Sequence, residues 1–176
     1  AGVRIHVSQT VAVVIVRQGH QVRQVLGRLL RRHPVVCHLR RHPVVCHLGE
    51  FVCHLVTWEN REQMNQTSTS VHKEVSELEM TGLTSQPRRL VDGPWVAEST
   101  VHLECRNVKS VDLPNWGDKD RYVVVFGEVI GIHIKDDLIT EEGLVDVGRM
   151  RPLGRLGYND YTEVDSNTIF TMVRPD

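Results

Sequence analysis

The 176-residue sequence lacks the features that mark several large classes of protein. Its longest unbroken apolar run covers only residues 11–16, whereas a membrane-spanning helix needs roughly 20 apolar residues. No basic and apolar signal peptide is recognisable at the start of the sequence. The 4 cysteines are few and irregularly spaced, which argues against a disulfide scaffold and indicates a reducing compartment. We therefore expect a cytoplasmic protein that does not bind a membrane.

An excess of one charge is also missing, because 21 Lys and Arg residues nearly balance 22 Asp and Glu residues and leave a net charge of -1. This balance argues against nucleic-acid binding through bulk charge. The sequence holds no Gly-x-Gly-x-x-Gly, no phosphate loop ending in Gly-Lys-Ser/Thr, no His-Glu-x-x-His and no Gly-x-Ser-x-Gly. No catalytic residue can therefore be named from a motif. A hydrophobic fraction of 40% nevertheless excludes a wholly disordered chain.

Residues 1–48 differ in composition from the rest of the chain. They contain no Asp, Glu, Lys, Asn, Met or aromatic ring of Phe, Tyr or Trp, and the nine-residue unit at 31–39 recurs unchanged at 40–48. We therefore divide the chain into an atypical basic segment, residues 1–48, and a domain, residues 49–176. Three interpretations of the segment stay open: a divergent part of the barrel with a strand at 11–16, an incorrectly recorded sequence, or a basic tail that binds RNA, a membrane or an acidic partner.

Apolar patterns predict a mainly β protein. In residues 100–108 apolar and polar side chains alternate, as in a half-buried strand. Residues 121–134 are apolar on both faces and predict a long central strand, in which Gly127 and Gly131 indicate a bend or a close approach. Further strands are predicted over residues 50–56 and 169–173, and short helices over residues 58–65, after Thr57 as N-cap, and 73–80, before Gly82. Many strands with few short helices favour a barrel or a sandwich.

Three Cys-His pairs, at residues 37–38, 46–47 and 53–54, raise the question of a zinc site, since thiolate and imidazole are common zinc ligands. Their spacing argues against one, because zinc ligands usually come in pairs two to four residues apart. Adjacent residues of a strand also point to opposite faces, so one pair cannot easily chelate one ion. We predict no metal site.

Two groups of polar residues lie within predicted strands. His102, Glu104 and Arg106 share one strand face, where they form either a polar site or, as we favour, a solvated surface. Glu128 lies in the most apolar strand, and exposure at a strand edge or a salt bridge to an arginine is favoured over a catalytic role.

The segment 152–161 is the most suggestive of a ligand site. It combines Arg155 and Gly157 with Tyr158 and Tyr161 in a loop-like stretch. Glycine lets a ligand approach the backbone closely, arginine binds phosphate or stacks on a ring, and tyrosine covers a flat ring. A glycine-rich turn with a tyrosine packed beneath it explains the same residues equally well.

A series of short phrases from residue 49 onward resembles the flavin reductase-like family, the FMN-binding split barrels. The phrases occur in the family's order and approximate spacing, over 49–52, 55–59, 64–68, 82–84, 98–99, 103–106, 125–129 and 151–157. The last and longest reads Arg-Pro-Leu-Gly-Arg-Leu-Gly. Together they cover the domain of residues 49–176.

The resemblance implies a six-stranded Greek-key split barrel with short helices that acts as a cytoplasmic homodimer. It further implies non-covalent FMN at the dimer interface, with NADH or NADPH as cosubstrate. The implied oxidoreductase reaction is hydride transfer to flavin N5, followed by transfer of electrons to oxygen, a monooxygenase partner or another acceptor. The alternatives are a non-catalytic flavin-binding protein and a cofactor-free split-barrel binding protein.

The resemblance also indicates cofactor-binding residues. It places Arg155, Gly157, Tyr158 and Tyr161 near the open side of the flavin, and it places Asn65, Thr67 and Ser68 after a barrel strand that leads to the site, although helix capping also explains these three. The family's Pro-Arg-Pro, Asn-Leu-Ala-Pro-x-Ser and Lys-Asp-Thr phrases are not legible in residues 1–48. His54 stands where the family has Asn, and Thr100 where Pro is common.

Overall fold

A computed structural model describes residues 11–18, 35–40, 49–69, 75–87, 90–113 and 121–175. These residues form nine strands and three short α-helices, so the mainly β class is confirmed. The strands are β1 (Val11–Gln18), β2 (Val35–Arg40), β3 (Glu50–His54), β4 (Ser85–Gln86), β5 (Trp95–Val96), β6 (Val101–Leu113), β7 (Arg121–Ile134), β8 (Leu153–Arg155) and β9 (Tyr161–Glu163). The helices are α1 (Arg61–Gln66), α2 (Glu77–Thr81) and α3 (Val147–Met150), with 3-10 turns at Trp58–Asn60 and Asp136–Leu138.

Five strands form the main sheet in the order β2-β1-β7-β6-β3. The β1–β2 pair is parallel, and the other neighbours are antiparallel. The two end strands, β2 and β3, also approach each other, which curls the sheet towards a closed barrel. Two hairpins, β4–β5 and β8–β9, complete the described strands. The described barrel sheet therefore has five strands, one fewer than the six expected, because the remaining strands pair in separate hairpins.

One face of β3, β6 and β7 forms the hydrophobic core. The side chains of Val101, Leu103 and Cys105 alternate into it as predicted, and all three are buried. Strand β7 supplies Val125 and Val129 to the same core. The other members are Phe51, Cys53, Leu55, Val123, Ile132, Leu138 and Met150.

The opposite face of the same strands is covered by the β4–β5 hairpin. Trp95 of β5 is 4% exposed, and Leu90, in the connection between β4 and β5, lies over Gly131 of β7. A Cβ atom on Gly131 would lie 2.7 Å from the terminal Cδ1 of Leu90, so glycine allows the close approach that the sequence indicated, and a larger residue would displace the Leu90 side chain. The prediction of a solvated face is wrong for His102 and Glu104, because the hairpin buries both of them.

Of the remaining predictions, those on the helices and on Glu128 agree with the structure and the one on the last strand does not. Both predicted helices are present, the first as a 3-10 turn followed by α1 and the second as α2, which begins only at Glu77 and ends at Gly82 in the left-handed conformation at φ 69°. Glu128 is exposed, as favoured. The strand predicted over 169–173 is wrong, because these residues extend from the domain without pairing to any described strand.

The basic N-terminal segment contributes two strands to the main sheet. Strand β1 covers the expected strand at 11–16 and pairs along its length with β7, from Val11 opposite Glu128 to Gln18 opposite Arg121. Residues 1–10, 19–34 and 41–48 lie outside the described part of the chain, and with them the Cys-His pair at 46–47.

Phe51 crosses over Gly127, and this contact predicts the effect of a single added methyl group. A Cβ at position 127 would overlap the Phe51 ring and lie 3.1 Å from the Cβ of Cys105. We expect Gly127→Ala to lower the free energy of unfolding by about 1–3 kcal/mol, measured by urea denaturation, because overpacking displaces core side chains. Gly157→Ala is the control, since no atom lies within 4 Å of its added Cβ. Equal stability of the two variants would contradict the packing described.

Candidate functional site

The segment singled out in the sequence forms the β8–β9 hairpin. Strands β8 and β9 place Arg155 directly opposite Tyr161. The N–H of Leu156 donates to the carbonyl of Asp160 at 3.0 Å, and the N–H of Asp160 donates to that of Gly157 at 3.1 Å. These bonds close a tight turn, which presents residues 156–160 to solvent.

Arg155 organises this hairpin. Its guanidinium lies 4.6 Å from the centroid of the Tyr161 ring and donates to the Tyr161 hydroxyl and to the carbonyl of Tyr158. Tyr158 adopts the left-handed conformation at φ 55°, and its side chain is 85% exposed. Space is open where a side chain would stand on Gly157. The turn therefore offers a free aromatic ring beside a backbone that a ligand can approach.

Three predicted contact residues lie on another element, at the end of α1. The Thr67 hydroxyl donates to the carbonyl of Met64 at 2.7 Å, and the Ser68 N–H donates to the carbonyl of Asn65 at 3.0 Å. Helix capping, the alternative considered for these residues, is thus present at Thr67 and Ser68. Asn65 is exposed to solvent.

A short junction connects the two groups of predicted residues. Thr57, which precedes α1, forms a β-bridge with Pro152, which precedes β8. The Trp58 N–H donates to the carbonyl of Arg151 at 2.9 Å, and the Leu153 N–H donates to that of Val56 at 3.0 Å. The chain before α1 and the start of the β8–β9 hairpin are therefore fixed to each other by backbone hydrogen bonds.

Arg151 strengthens this junction through its side chain. It is left-handed at φ 51°, and its guanidinium donates to the Glu163 carboxylate at 2.7 Å and lies 3.6 Å from that of Glu59. Trp58 lies 3.8 Å from the Arg61 guanidinium and 5.1 Å from that of Arg151. The cation–π contacts and ion pairs hold Arg151 in a conformation that favours glycine.

A second polar group, which the sequence did not predict as a unit, lies beneath the β4–β5 hairpin. Strand register aligns His54, His102 and His133 in one row across β3, β6 and β7. The ring centroids of Trp95 and His102 lie 3.9 Å apart in a stacked arrangement. The centroids of Trp95 and His133 lie 4.8 Å apart in an edge-on arrangement. Glu104 is fully buried, and its Oε1 lies 3.5 Å from Nε2 of His133. The signal in the sequence was the alternation of His102 and Glu104 with apolar residues, but only the pairing of three strands reveals the row.

The row holds the hairpin through the backbone of one residue, Val96. The N–H of Val96 donates to Nε2 of His54 at 3.1 Å, and Nε2 of His102 lies 2.8 Å from the carbonyl of Val96. His54 therefore accepts at Nε2 and is neutral, whereas His102 carries its proton at Nε2 and donates. Burial, and next the proximity of His102, lower the pKa of His54 to about 3.

In the described ranges, no cluster of three or more His, Cys, Asp or Glu side chains is placed to hold a metal ion. Of the helices in that part of the chain, none is long and apolar enough to cross a bilayer.

The sequence matches the family model of the flavin reductase like domain over residues 39–154, well over half of the chain. The chain belongs to the flavin reductase-like family. The match begins within the basic segment and ends one residue before Arg155, so the turn of the β8–β9 hairpin follows it. The match confirms the family resemblance from which the split-barrel fold was expected.

Several known proteins are similar to this flavin reductase-like chain in sequence or in structure. It is 34% identical over 128 residues to the uncharacterized protein BH2278 of Halalkalibacterium halodurans, covering 73% of this chain and 60% of that protein. Nitrilotriacetate monooxygenase component B from Bacillus cereus has 23% identity and a TM-score of 0.65, with 73% and 62% of the two chains covered. A Shewanella frigidimarina protein, assigned as a flavin reductase with a split barrel domain, has 24% identity and a TM-score of 0.61, with 75% and 62% covered. The fold is the split barrel, and the chain spans about 60% of the length of these relatives.

Protonation of His54 predicts how stability changes with pH. The folded pKa is about 3, below the usual value of 6.5, so the unfolded chain binds the extra proton first as the pH falls. Stability is therefore retained above pH 6.5 and lost progressively between pH 6.5 and 3, with a slope of up to about 1.4 kcal/mol per pH unit from this group.

The test of this prediction compares urea unfolding at pH 7, 6, 5 and 4 in the wild type and in His54→Gln, whose amide oxygen accepts from Val96 without titrating. We expect a shallower pH dependence in His54→Gln, by about 1 kcal/mol per pH unit. Leu144→Gln, a change at an exposed position that carries no titratable group, is the control and should keep the wild-type slope. An unchanged slope in His54→Gln would contradict the neutral histidine.

Proposed function

We propose that this chain is an FMN-binding oxidoreductase of the flavin reductase type that takes electrons from NADH or NADPH. Membership of the flavin reductase-like family supports a flavin-binding role, and the β8–β9 hairpin is the observation that carries the proposal to particular residues. We propose Arg155, Gly157, Tyr158 and Tyr161 as the cofactor contacts.

The donor set of the hairpin fits a flavin mononucleotide, which presents a flat ring, carbonyl oxygens and a phosphate. Tyr158 supplies an exposed ring for stacking, and Gly157 supplies open backbone. Nε of Arg155 is buried and has no hydrogen-bond partner within the described ranges, so an acceptor oxygen of a ligand would satisfy it. Bound FMN would supply the electron-transfer chemistry, and these residues would bind and orient it.

The α1 end provides a second, smaller set of proposed contacts. Asn65 is exposed, and Thr67 and Ser68 follow it at the helix end, fixed by the junction to β8. Their amide and hydroxyl groups are neutral donors, suited to carbonyl or phosphate oxygens. In this proposal the hairpin contributes the charge and the ring, and the helix end contributes neutral hydrogen bonds.

The remaining parts of the proposal concern assembly and location. We propose a homodimer with one flavin reductase-like domain per chain at residues 49–176, to which residues 1–48 add β1 and β2. The Bacillus cereus neighbour is a monooxygenase component, which supports an oxygenase or another acceptor as the electron-accepting partner. The 4 irregularly spaced cysteines support the cytoplasm as the compartment.

One observation favours a second candidate function, flavin binding without catalysis. Residues 1–48 contain no Lys and no Asp, the residues of the phosphate loop that the family resemblance implies. Without these residues the flavin would be held by the hairpin and the end of α1 alone, an arrangement that provides for flavin binding and assigns no residue to NADH or NADPH. The two candidates differ in what happens to bound flavin when the nicotinamide is added.

The proposal predicts that the protein retains flavin absorbance after incubation with FMN and desalting, and that NADH or NADPH bleaches it. Arg155→Gln should weaken FMN binding at least about 10-fold in a fluorescence titration, because the charged donor is lost. Arg149→Gln is the matched control, since Arg149 is exposed on α3, away from the hairpin turn in the sequence. Retained flavin that neither nucleotide bleaches would favour the second candidate, and equal affinity of the two variants would contradict the assignment to the hairpin.

A further inference from the structure

Exposed apolar side chains are concentrated near the C-terminal end of the described chain. Thirteen large apolar residues are exposed in the described ranges, and seven of them lie within residues 156–173. Four belong to a short segment that we call the C-terminal arm, residues 169–173: Ile169, Phe170, Met172 and Val173. The Phe170 and Met172 side chains are each 75% exposed, which is unusual for residues of this size in a monomer.

The arm is not held to the described residues by hydrogen bonds. In the part of the chain that the structure describes, no hydrogen bond involves residues 169–175, and the last backbone bond before them runs from the Thr168 N–H to the carbonyl of Asp165 at 3.1 Å. Its sequence pattern nevertheless predicted a strand. An extended apolar segment without a partner strand presents both its backbone and its side chains to another molecule.

The base of the arm is held firmly, so the arm leaves the domain from a defined position. The Asp165 carboxylate accepts from the N–H groups of Asn167 at 2.7 Å and Thr168 at 3.2 Å, and the Asp165 N–H donates to the Thr168 hydroxyl at 3.1 Å. Ser166 packs directly on Gly148 of α3, where a Cβ would collide with it. A fixed base lowers the entropy cost of docking the arm.

Charge around the arm is compatible with burial in an interface. Two carboxylates of the preceding segment already have partners: Glu163 is paired with Arg151 at 2.7 Å, and Asp165 accepts backbone N–H groups. Residues 169–173 carry no charge. An apolar partner surface could therefore cover the arm without leaving these two charges unsatisfied.

The exposed area matches what a dimer requires. The exposed parts of the seven apolar side chains amount to an area on the order of 800 Å², close to the contribution of one partner to a standard interface. A two-fold interface uses the same residues on both copies, so an exposed apolar area of this size suits a second copy of the chain.

We infer that the C-terminal arm, together with the turn of the β8–β9 hairpin, is the surface through which two copies of this chain associate. This inference rests on the homodimer of the proposed function and assigns its contact surface. Because the same hairpin carries Arg155 and Tyr158, the contact adjoins the proposed flavin residues. In such a dimer the arm of one copy would shield the proposed flavin residues of the same copy or of the partner.

The test is sedimentation velocity of the whole chain over a range of concentrations, without added flavin. We expect the wild type to sediment at twice the 20.1 kDa mass of one chain. The double variant Phe170→Asp/Met172→Asp should raise the dimer dissociation constant at least about 100-fold, because it places charge in the centre of the contact. Leu144→Asp is the control: Leu144 is also exposed but lies outside residues 156–173, and the variant should associate like the wild type.

A second variant keeps the test decisive if the double variant does not fold. If the thermal unfolding of the double variant shows that it is not folded, a chain ending at Thr168 removes the arm without adding charge and should show the same loss of association. A wild type that stays monomeric at about 100 μM, well above the dissociation constant of a stable dimer, would overturn the inference. So would a double variant, or a truncated chain, that associates as tightly as the wild type.

Flavin retention, measured separately on the same samples, keeps the two proposals apart. Wild-type protein that retains FMN but does not use the arm to associate would refute this inference and leave the flavin proposal standing. Wild-type protein that forms the arm-dependent dimer but retains no FMN would support this inference and count against the flavin proposal.

Discussion

The antiparallel pairing of β6 with β7 is the constraint on which every other part of the domain depends. The two strands align from Val101 opposite Ile134 to Leu113 opposite Tyr122, with two register shifts along the way. Strand β3 adds to the free edge of β6, and β1 adds to that of β7. Because side chains alternate along both strands, this single register decides which residues enter the apolar core and which face the β4–β5 hairpin.

The two faces created by this pairing are stabilised differently. The core face is uniformly apolar and packed closely enough that Phe51 requires glycine at position 127. The hairpin face is polar and buried, so its groups need partners inside the protein. Two histidines bind the backbone N–H and the carbonyl of Val96, which fixes the hairpin in one position. Such a network contributes to the specificity of the fold only while His54 stays neutral.

Much of the barrel follows from sequence patterns, because local periodicity reflects which face of a strand is buried. The bounds of β7 and the inward set on β6 were predictable for this reason. The burial of His102 and Glu104 was not, since the hairpin that covers them returns from elsewhere in the chain and polar residues on an alternating strand usually face solvent. The apolar pattern over 169–173 predicted a strand that the structure does not contain, because a strand needs a neighbouring strand to pair with as well as a suitable composition.

The candidate site was predictable as a set of residues but not as an arrangement. Composition singled out Arg155, Gly157, Tyr158 and Tyr161, yet only the hairpin register shows that the arginine lies against Tyr161 while Tyr158 faces solvent. The helix end was suggested by family resemblance alone, and its attachment to β8 depends on the bridge between Thr57 and Pro152, which no local pattern indicates.

The proposed binding of flavin at the turn of the β8–β9 hairpin is tested most directly by an NMR titration of the nitrogen-15-labelled protein with FMN. The backbone amide signals of Gly157 and Tyr158, together with the side-chain signal of Arg155 Nε, should shift most strongly and saturate with a single dissociation constant. Saturable shifts confined to residues outside the hairpin and the end of α1, with the Gly157 and Tyr158 signals unmoved, would contradict the claim.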